Sequence, residues 1–248
     1  LDIWVVKLPS LLSGLIIIGL IGAITSELTK SFWKPDKQKV ATLIAMTFVA
    51  ISPWAHHFSR VAYEAHVAMM CFLYGWLALQ KALNGKHQRF WLSSFGLALG
   101  YSLITYHSYQ VITPLFVLGS LIIVQKKLPQ LDRIGLILGT SFGVLAVILL
   151  LSNQVLTSNL TKHAGISPYS KESLARQFSL MRLALPTPHT LNKFLSNQVT
   201  EGIFIFAKNV SSVISPSFLF VSGTGQDVHN PGEMANLHLF SFPFIIIG

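Results

Sequence analysis

The chain has 248 residues, of which 52% are hydrophobic and only 11% are charged, with a mean hydropathy of +0.58. Soluble domains usually have about 25% charged residues, so the composition argues against an ordinary soluble enzyme. The net charge of +9 would suit nucleic acid, but the basic residues are concentrated in short loops between apolar blocks, which argues against that partner.

Long uncharged blocks predict membrane-spanning helices. Residues 8–26, 40–59, 90–125 and 134–161 contain no Asp, Glu, Lys or Arg. About 20 apolar residues cross a bilayer as one helix, whereas a helix on the surface of a soluble domain shows a polar face. The predicted fold class is therefore all-α, a polytopic transmembrane helix bundle. The single cysteine, Cys71, excludes a disulfide framework within the chain.

The basic loops predict the orientation of these helices. Ten of the eighteen Lys and Arg residues lie within residues 30–39, 81–89 and 126–133, and such loops are typically cytoplasmic. In chain order, the predicted spans are residues 8–26, 40–54, 65–80, the two halves of 90–125, and 134–152. Residues 55–64 then lie at the outer face.

Two further features complete the predicted topology. The block 90–125 is too long for one span and has polar residues 106–110 at its middle, so we expect a helical hairpin that turns there at the outer face. Residues 153–236 are polar and rich in proline, which predicts a long extracytoplasmic loop, with an amphipathic interfacial helix over 171–185. We expect residues 1–248 to form a single transmembrane domain that is truncated at both ends.

Polar and ionisable residues mark the outer ends of the predicted spans. Within or near a membrane span such residues are functional candidates. Each also has a structural interpretation: an interfacial lysine, an ion pair at a helix start, an aromatic belt, or a solvated loop. The candidates are Lys7, Arg60 with Glu64 as its i,i+4 partner, Tyr106 and His107 in the hairpin turn, and His229 with Asp227 in the long loop.

Together the cationic candidates form one electropositive outer-face set. Lys7 and Arg60, with His107 and His229, suit a phosphate-bearing ligand at the membrane interface, because Arg and Lys bind phosphate through charge-assisted hydrogen bonds. His56, His57 and His66 lack a carboxylate or thiolate partner at ligand spacing, so neither a metal site nor a cofactor is predicted.

Four segments in order resemble one family. They are residues 5–14 (VVKLPSLLSG), residues 51–65 (ISPW, then HFSRVAYEA), residues 105–108 (TYHS), and residues 215–244 (SPSFLF, then Gly223, His229, PG and Pro243). They resemble the corresponding motifs of bacterial glycosyltransferases of the protein-mannosyltransferase and lipid A aminoarabinosyltransferase type. The resemblance covers essentially the whole chain.

The resemblance implies a type C glycosyltransferase fold in the bacterial inner (plasma) membrane. The donor would be a sugar on a polyprenyl phosphate, and the acceptor a lipid, a glycan or a protein. The family's catalytic acid lies in an outer loop before the KLPS segment, so we expect it upstream of Leu1 and name no catalytic residue here. Two positions depart from the family: Lys7 stands where arginine is usual, which removes the bidentate fork, and Val228 stands where relatives often have arginine.

Two other functions fit the sequence. A transporter or flippase of lipid-linked sugars would use the same outer-face cations without breaking a bond, and a structural membrane subunit would use them for stability only. Transporters often have internal repeats and broken helices at the membrane midplane. Here the polar clusters lie at one face, which favours the enzyme.

Overall fold

The computed structural model describes residues 3–60, 64–84, 87–125, 131–157, 207–222 without 209 and 213, and 237. In these ranges the chain is helical and contains no strand, which confirms the all-α prediction. The chain divides into two compact units, residues 1–152 and 153–248. The α-helices are α1 (Ile3–Thr29), α2 (Pro35–Ile51), α3 (Pro53–Arg60), α4 (Glu64–Asn84), α5 (Gln88–Thr105), α6 (Tyr109–Val124) and α7 (Arg133–Thr157).

Several of these helices suit a membrane. Lys7–Thr29 of α1 and Arg133–Ser152 of α7 are each long and apolar enough to cross one. Helices α2 and α3, bent by 56° at their junction, would together make a third such segment. Many large apolar side chains on α1, α2, α6 and α7 are exposed, for example Leu15, Leu43, Ile123 and Ile137. An exposed apolar surface of this extent is typical of contact with lipid or a partner.

Helices α1 and α4 run in the same direction and form the main core of the first unit. Ile17, Leu20 and Ile24 of α1 pack with Leu73 and Leu77 of α4. Helix α2 returns antiparallel along α1, where a Cβ added to Gly22 would lie 2.6 Å from the sulfur of Met46. The end of α1, the start of α2 and the end of α4 therefore lie at the same end of the unit.

Helices α5 and α7 approach so closely that their backbones touch. A Cβ added to Gly96 would overlap the backbone of Gly139, and one added to Gly139 would lie 2.6 Å from the carbonyl oxygen of Leu92. Glycines four residues apart allow this approach, because they present no side chain to the facing helix. Gly96 and Gly100 on α5, and Gly135, Gly139 and Gly143 on α7, have this spacing. An apolar cavity of about 580 Å³ lies between α5, α6 and α7.

An ion pair fixes the start of α7 beside the start of α5. Arg89 Nε donates to Asp132 Oδ2 at 3.1 Å, and the Asp132 N–H donates to Gln88 Oε1 at 3.2 Å. The same Asp132 carboxylate accepts the Gly135 N–H at 2.8 Å and so caps the first turn of α7. Ala82, Leu92, Val124 and Leu131 pack as a small core at this end.

The helix directions place the three basic segments at one end of the first unit, which we call the Arg89 end. Segment 30–39 covers the α1–α2 connection and the start of α2, Lys81 and Arg89 lie at the end of α4 and the start of α5, and the described part of 126–133 is at the start of α7. Which side of the membrane this end faces stays a prediction.

The observed elements differ from the predicted ones in three places. The helix predicted over 40–54 ends at Ile51, and residues 55–60 of the predicted outer-face segment 55–64 belong to helix α3. The loop predicted at 81–89 is shorter, because Lys81 belongs to α4 and Arg89 to α5. Helix α7 continues to Thr157, five residues into the predicted loop. The predicted interfacial helix over 171–185 lies outside the described residues.

The described part of the second unit is helical near the SPSFLF segment. Ser215 Oγ accepts the N–H of Phe218 at 3.2 Å, at the start of a short π-helix over Phe218–Ser222. The Leu237 N–H donates to the Leu219 carbonyl oxygen at 2.8 Å. This contact ties residue 237 back to the π-helix.

Candidate functional site

Helix α3 owes its direction to the Ser52-Pro53 step. The residue before a proline is pushed out of the helical conformation, and proline is well accepted at the first helical position. Ser52 accordingly ends α2 in an extended conformation, with φ −60° and ψ 126°. Along α3, Trp54 and Phe58 are four residues apart, and their ring centroids lie 5.1 Å from each other. The bend therefore lays a short helix with an aromatic face across the end of the unit.

Helix α3 packs against the first turns of α1. Ser10 Oγ donates to the carbonyl oxygen of Phe58 at 2.7 Å. A Cβ added to Gly14 would lie 2.9 Å from the Cβ of Ser59 and 3.3 Å from Cε1 of His66. We call this meeting of the start of α1, helix α3 and the start of α4 the α1–α3–α4 junction.

Lys7 and Arg60 both lie beside this junction. Lys7 is one helical turn before Ser10, and Arg60 is two residues after Phe58. The Ser10–Phe58 hydrogen bond therefore brings the backbone at both positions close to the junction. Both side chains are exposed. Two predicted phosphate contacts that are 53 residues apart in sequence are thereby brought to one end of the unit.

The expected Arg60–Glu64 pair on one helix face is absent from the structure. The expectation required a helix beginning near Ser59, but Arg60 is the last residue of α3 and Glu64 is the first residue of α4. Both side chains are exposed, and within the described residues no ion pair joins them. Residues 61–63, which connect the two, lie outside the described residues.

Helix α4 places a buried histidine under α3. His66 is only 1% exposed, and its ring meets the Trp54 ring edge-on at a centroid distance of 6.0 Å. The His66 ring also makes a hydrogen-bond interaction with the Ser10 backbone of α1. Ser10 and Ser13 of α1 are also buried, at 2% exposure each. The junction thus has a polar interior although its helices are apolar overall.

Tyr106 and His107 lie in the α5–α6 turn, where the sequence predicts the turn of the helical hairpin. Thr105 ends α5 and Tyr109 begins α6, which agrees with the predicted hairpin. The rings of Tyr106 and His107 lie 4.4 Å apart, and the Tyr109 ring packs 5.4 Å from Phe72, two turns along α4. No hydrogen bond or ion pair within the described residues joins His107 to Lys7 or Arg60. The turn is near the same end but forms a separate cluster.

The remaining candidates cannot be placed relative to the junction, because they belong to the part of the chain that is not described. His229 and Asp227 are outside the described residues, as is most of the predicted loop 153–236. Within the described part of the chain, no three His, Cys, Asp or Glu side chains are grouped to hold a metal ion. The two exposed cations beside the junction, Lys7 and Arg60, suit binding of an anion.

Searches against protein-family models, curated proteins and solved structures find no match to this chain.

Proposed function

We propose that the chain is part of a polytopic membrane glycosyltransferase that takes its sugar from a polyprenyl-phosphate donor at the extracytoplasmic face. The observation that supports this most is the approach of Lys7 and Arg60 to one junction, secured by the Ser10–Phe58 hydrogen bond. A phosphate attached to a lipid needs cations at the membrane interface, and the junction lies at the end of a helix apolar enough to cross a membrane. The type C fold, suggested by the four motifs, belongs to the same proposal.

The reaction is a single displacement at the anomeric carbon. An acceptor hydroxyl oxygen forms a bond to that carbon while the bond from the carbon to the phosphate oxygen breaks. The hydroxyl proton passes to a carboxylate that acts as general base, as the resemblance implies. The phosphate leaves with an additional negative charge on its oxygen. Lys7 and Arg60 stabilise this charge, which develops as the bond breaks, and thereby lower the barrier.

Reconstituted full-length protein tests this proposal. Incubation with a radiolabelled polyprenyl-phosphate sugar and membrane extract as acceptor source is expected to release free polyprenyl phosphate and to label an acceptor. A double variant, Lys7→Ala with Arg60→Ala, is expected to lose this activity while remaining folded. Labelled donor that crosses the vesicle membrane intact, with no cleavage, would instead identify a transporter or flippase.

A further inference from the structure

The connection between α1 and α2 combines exposed aromatic rings with exposed lysines. Phe32 is 82% exposed and Trp33 is 49% exposed, and Lys30 and Lys34 stand on either side of them in the sequence. Lys37, in the first turn of α2, is also exposed. We call residues 30–37 the lysine–aromatic turn. Exposed apolar surface bordered by charged residues is typical of contact with a membrane or a partner.

Hydrogen bonds hold the lysine–aromatic turn in this shape. The N–H groups of Phe32 and Trp33 donate to the carbonyl oxygen of Thr29 at 3.1 and 3.0 Å. Gln38 Nε2 donates to the carbonyl oxygen of Ser26 at 2.8 Å, which ties the first turn of α2 to the last turns of α1. The turn therefore presents its rings and lysines in the folded chain without any rearrangement.

The turn lies where a membrane-spanning helix would leave the bilayer. The segment Lys7–Thr29 is long and apolar enough to cross a membrane, and the lysine–aromatic turn begins at the next residue. Tryptophan is enriched at membrane interfaces, and interfacial lysines extend their charged ends to the level of the headgroups. Rings and charges at this depth match the two parts of a phospholipid, its acyl boundary and its headgroup.

The lysines of the turn are not neutralised within the described residues. Residues 30–39 hold four Lys and one Asp. The ion pair found in the described part of the chain joins Arg89 to Asp132, and neither Glu27 nor Asp36 forms one there. Uncompensated positive charge beside a bilayer favours anionic lipids.

The end of α4 and the start of α5 repeat the combination of lysine and aromatic ring. Lys81 Nζ lies 4.9 Å from the centroid of the Trp91 ring, a cation–π contact. Phe90, beside Trp91, is 59% exposed. Because α1 and α4 run in the same direction, this pair lies at the same Arg89 end as the lysine–aromatic turn. The basic and aromatic surface of this end thus extends beyond the turn.

We infer that the lysine–aromatic turn binds an anionic phospholipid. Phe32 and Trp33 enter the acyl boundary, and Lys30, Lys34 and Lys37 bind the oxygens of the headgroup by charge-assisted hydrogen bonds. The inference is independent of the proposed function, which uses the opposite end of α1, and it stands or fails whatever reaction the protein performs.

The test compares two lipids that have equal chains and differ in headgroup charge. Full-length protein in detergent is titrated with dioleoylphosphatidylglycerol and with dioleoylphosphatidylcholine, and bound lipid is counted by native mass spectrometry. Three lysines at a lipid headgroup predict about 10- to 100-fold tighter binding of the phosphatidylglycerol by wild type. We expect the triple variant Lys30→Gln, Lys34→Gln, Lys37→Gln to lose at least about fivefold of this preference. The matched control Lys30→Arg, Lys34→Arg, Lys37→Arg keeps the charge and should keep the preference.

A second variant, Phe32→Ser with Trp33→Ser, tests the rings. It should weaken the binding of both lipids by a similar factor, because the lost contact is with the acyl boundary and not with the charged headgroup. Unchanged affinity for both lipids would overturn the placement of the rings.

Three results overturn the inference as a whole. They are a preference in the glutamine variant within about twofold of that in wild type, equal binding of both lipids by wild type, and binding of soluble polyglutamate as tightly as phosphatidylglycerol, which would make an acidic protein the partner. Thermal midpoints without lipid are measured in parallel and should be unchanged, since exposed lysines without ion pairs contribute little to stability. Should the glutamine variant not fold, the preference of wild type is measured at rising salt concentration. Salt weakens a preference based on charge, and a preference unchanged by salt overturns the inference.

Discussion

Arg60 is the residue whose substitution tests the proposed leaving-group contact most directly. It is exposed at the end of α3 and has no ion pair with Glu64 in the described structure. Loss of one electrostatic contact to a transition state lowers the rate by about 10²–10³. We expect Arg60→Ala to lower turnover with polyprenyl-phosphate sugar by roughly that factor. We expect Arg60→Lys to recover part of the turnover, because lysine keeps the positive charge but lacks the bidentate donors of the guanidinium group. Specific activity per folded molecule is the measurement.

The control for Arg60 is Glu64→Ala. A purely structural role of Arg60 would reduce the amount of folded protein in Arg60→Ala while leaving activity per folded molecule within about threefold of wild type, far short of the effect of a transition-state contact. That result would remove Arg60 from the site. Glu64→Ala should leave the folded amount unchanged, since the two side chains form no pair.

Asp132 is expected to make stability depend on pH. The hydrogen bond from Arg89 and the N–H of Gly135 lower the pKa of the Asp132 carboxyl. A carboxyl whose pKa is lower in the folded protein contributes stability above its unfolded pKa, and this contribution disappears as pH falls through the folded pKa. We expect Asp132→Ala to lower the thermal midpoint near neutral pH and to match wild type once the carboxyl is protonated.

Asp132→Asn separates the two roles of this residue. Asparagine is a good helix N-cap but carries no charge, so it should keep the cap on α7 and lose the ion pair with Arg89. We expect a thermal midpoint at neutral pH that lies between those of wild type and Asp132→Ala. A midpoint equal to that of Asp132→Ala would show that the charge alone matters; one equal to wild type would show that the cap alone matters.

At the scale of elements, the contact between α5 and α7 depends on glycine. A Cβ at Gly96 would overlap the Gly139 backbone, so Gly96→Ala requires the two helices to move apart. Overpacking of this kind typically costs about 1–3 kcal/mol. We expect a lower thermal midpoint for Gly96→Ala in detergent. Gly143→Ala on α7 is the matched control, because a Cβ there meets no atom within 4 Å. If the thermal midpoint of Gly143→Ala falls as far as that of Gly96→Ala, the loss of stability does not come from the close approach of the two helices.

At the scale of the whole molecule, the helix directions give a test of membrane orientation. The basic segments lie at the Arg89 end of the first unit, and basic loops are usually cytoplasmic. After replacement of Cys71 by alanine, we expect an impermeant thiol reagent on intact cells to label a cysteine at position 195 but not one at position 86. The opposite labelling pattern would show that the membrane orientation is the reverse of the predicted one. It would also place the α1–α3–α4 junction on the cytoplasmic side, away from an extracytoplasmic donor.

Apolar patterning in the sequence is sufficient to predict the helices of the first unit other than α3. Each predicted span in residues 8–152 corresponds to an observed helix, and the hairpin turn falls at the predicted polar cluster around His107. Helix formation depends on local runs of apolar residues and on polar interruptions, which the sequence shows directly. The spacing of Gly96 with Gly100, and of Gly135 with Gly139, is a further signal of close helix packing that the sequence contains.

Tertiary structure alone decided how these helices meet. The sequence determined an all-helical chain with polar residues at the ends of apolar segments, and it located Lys7 and Arg60 as cations. It did not determine that Arg60 and Glu64 belong to different helices, that Asp132 pairs with Arg89, or that His66 is buried under Trp54. These facts depend on contacts between residues distant in sequence, and the choice among such contacts follows from packing of whole helices, which a local pattern does not encode.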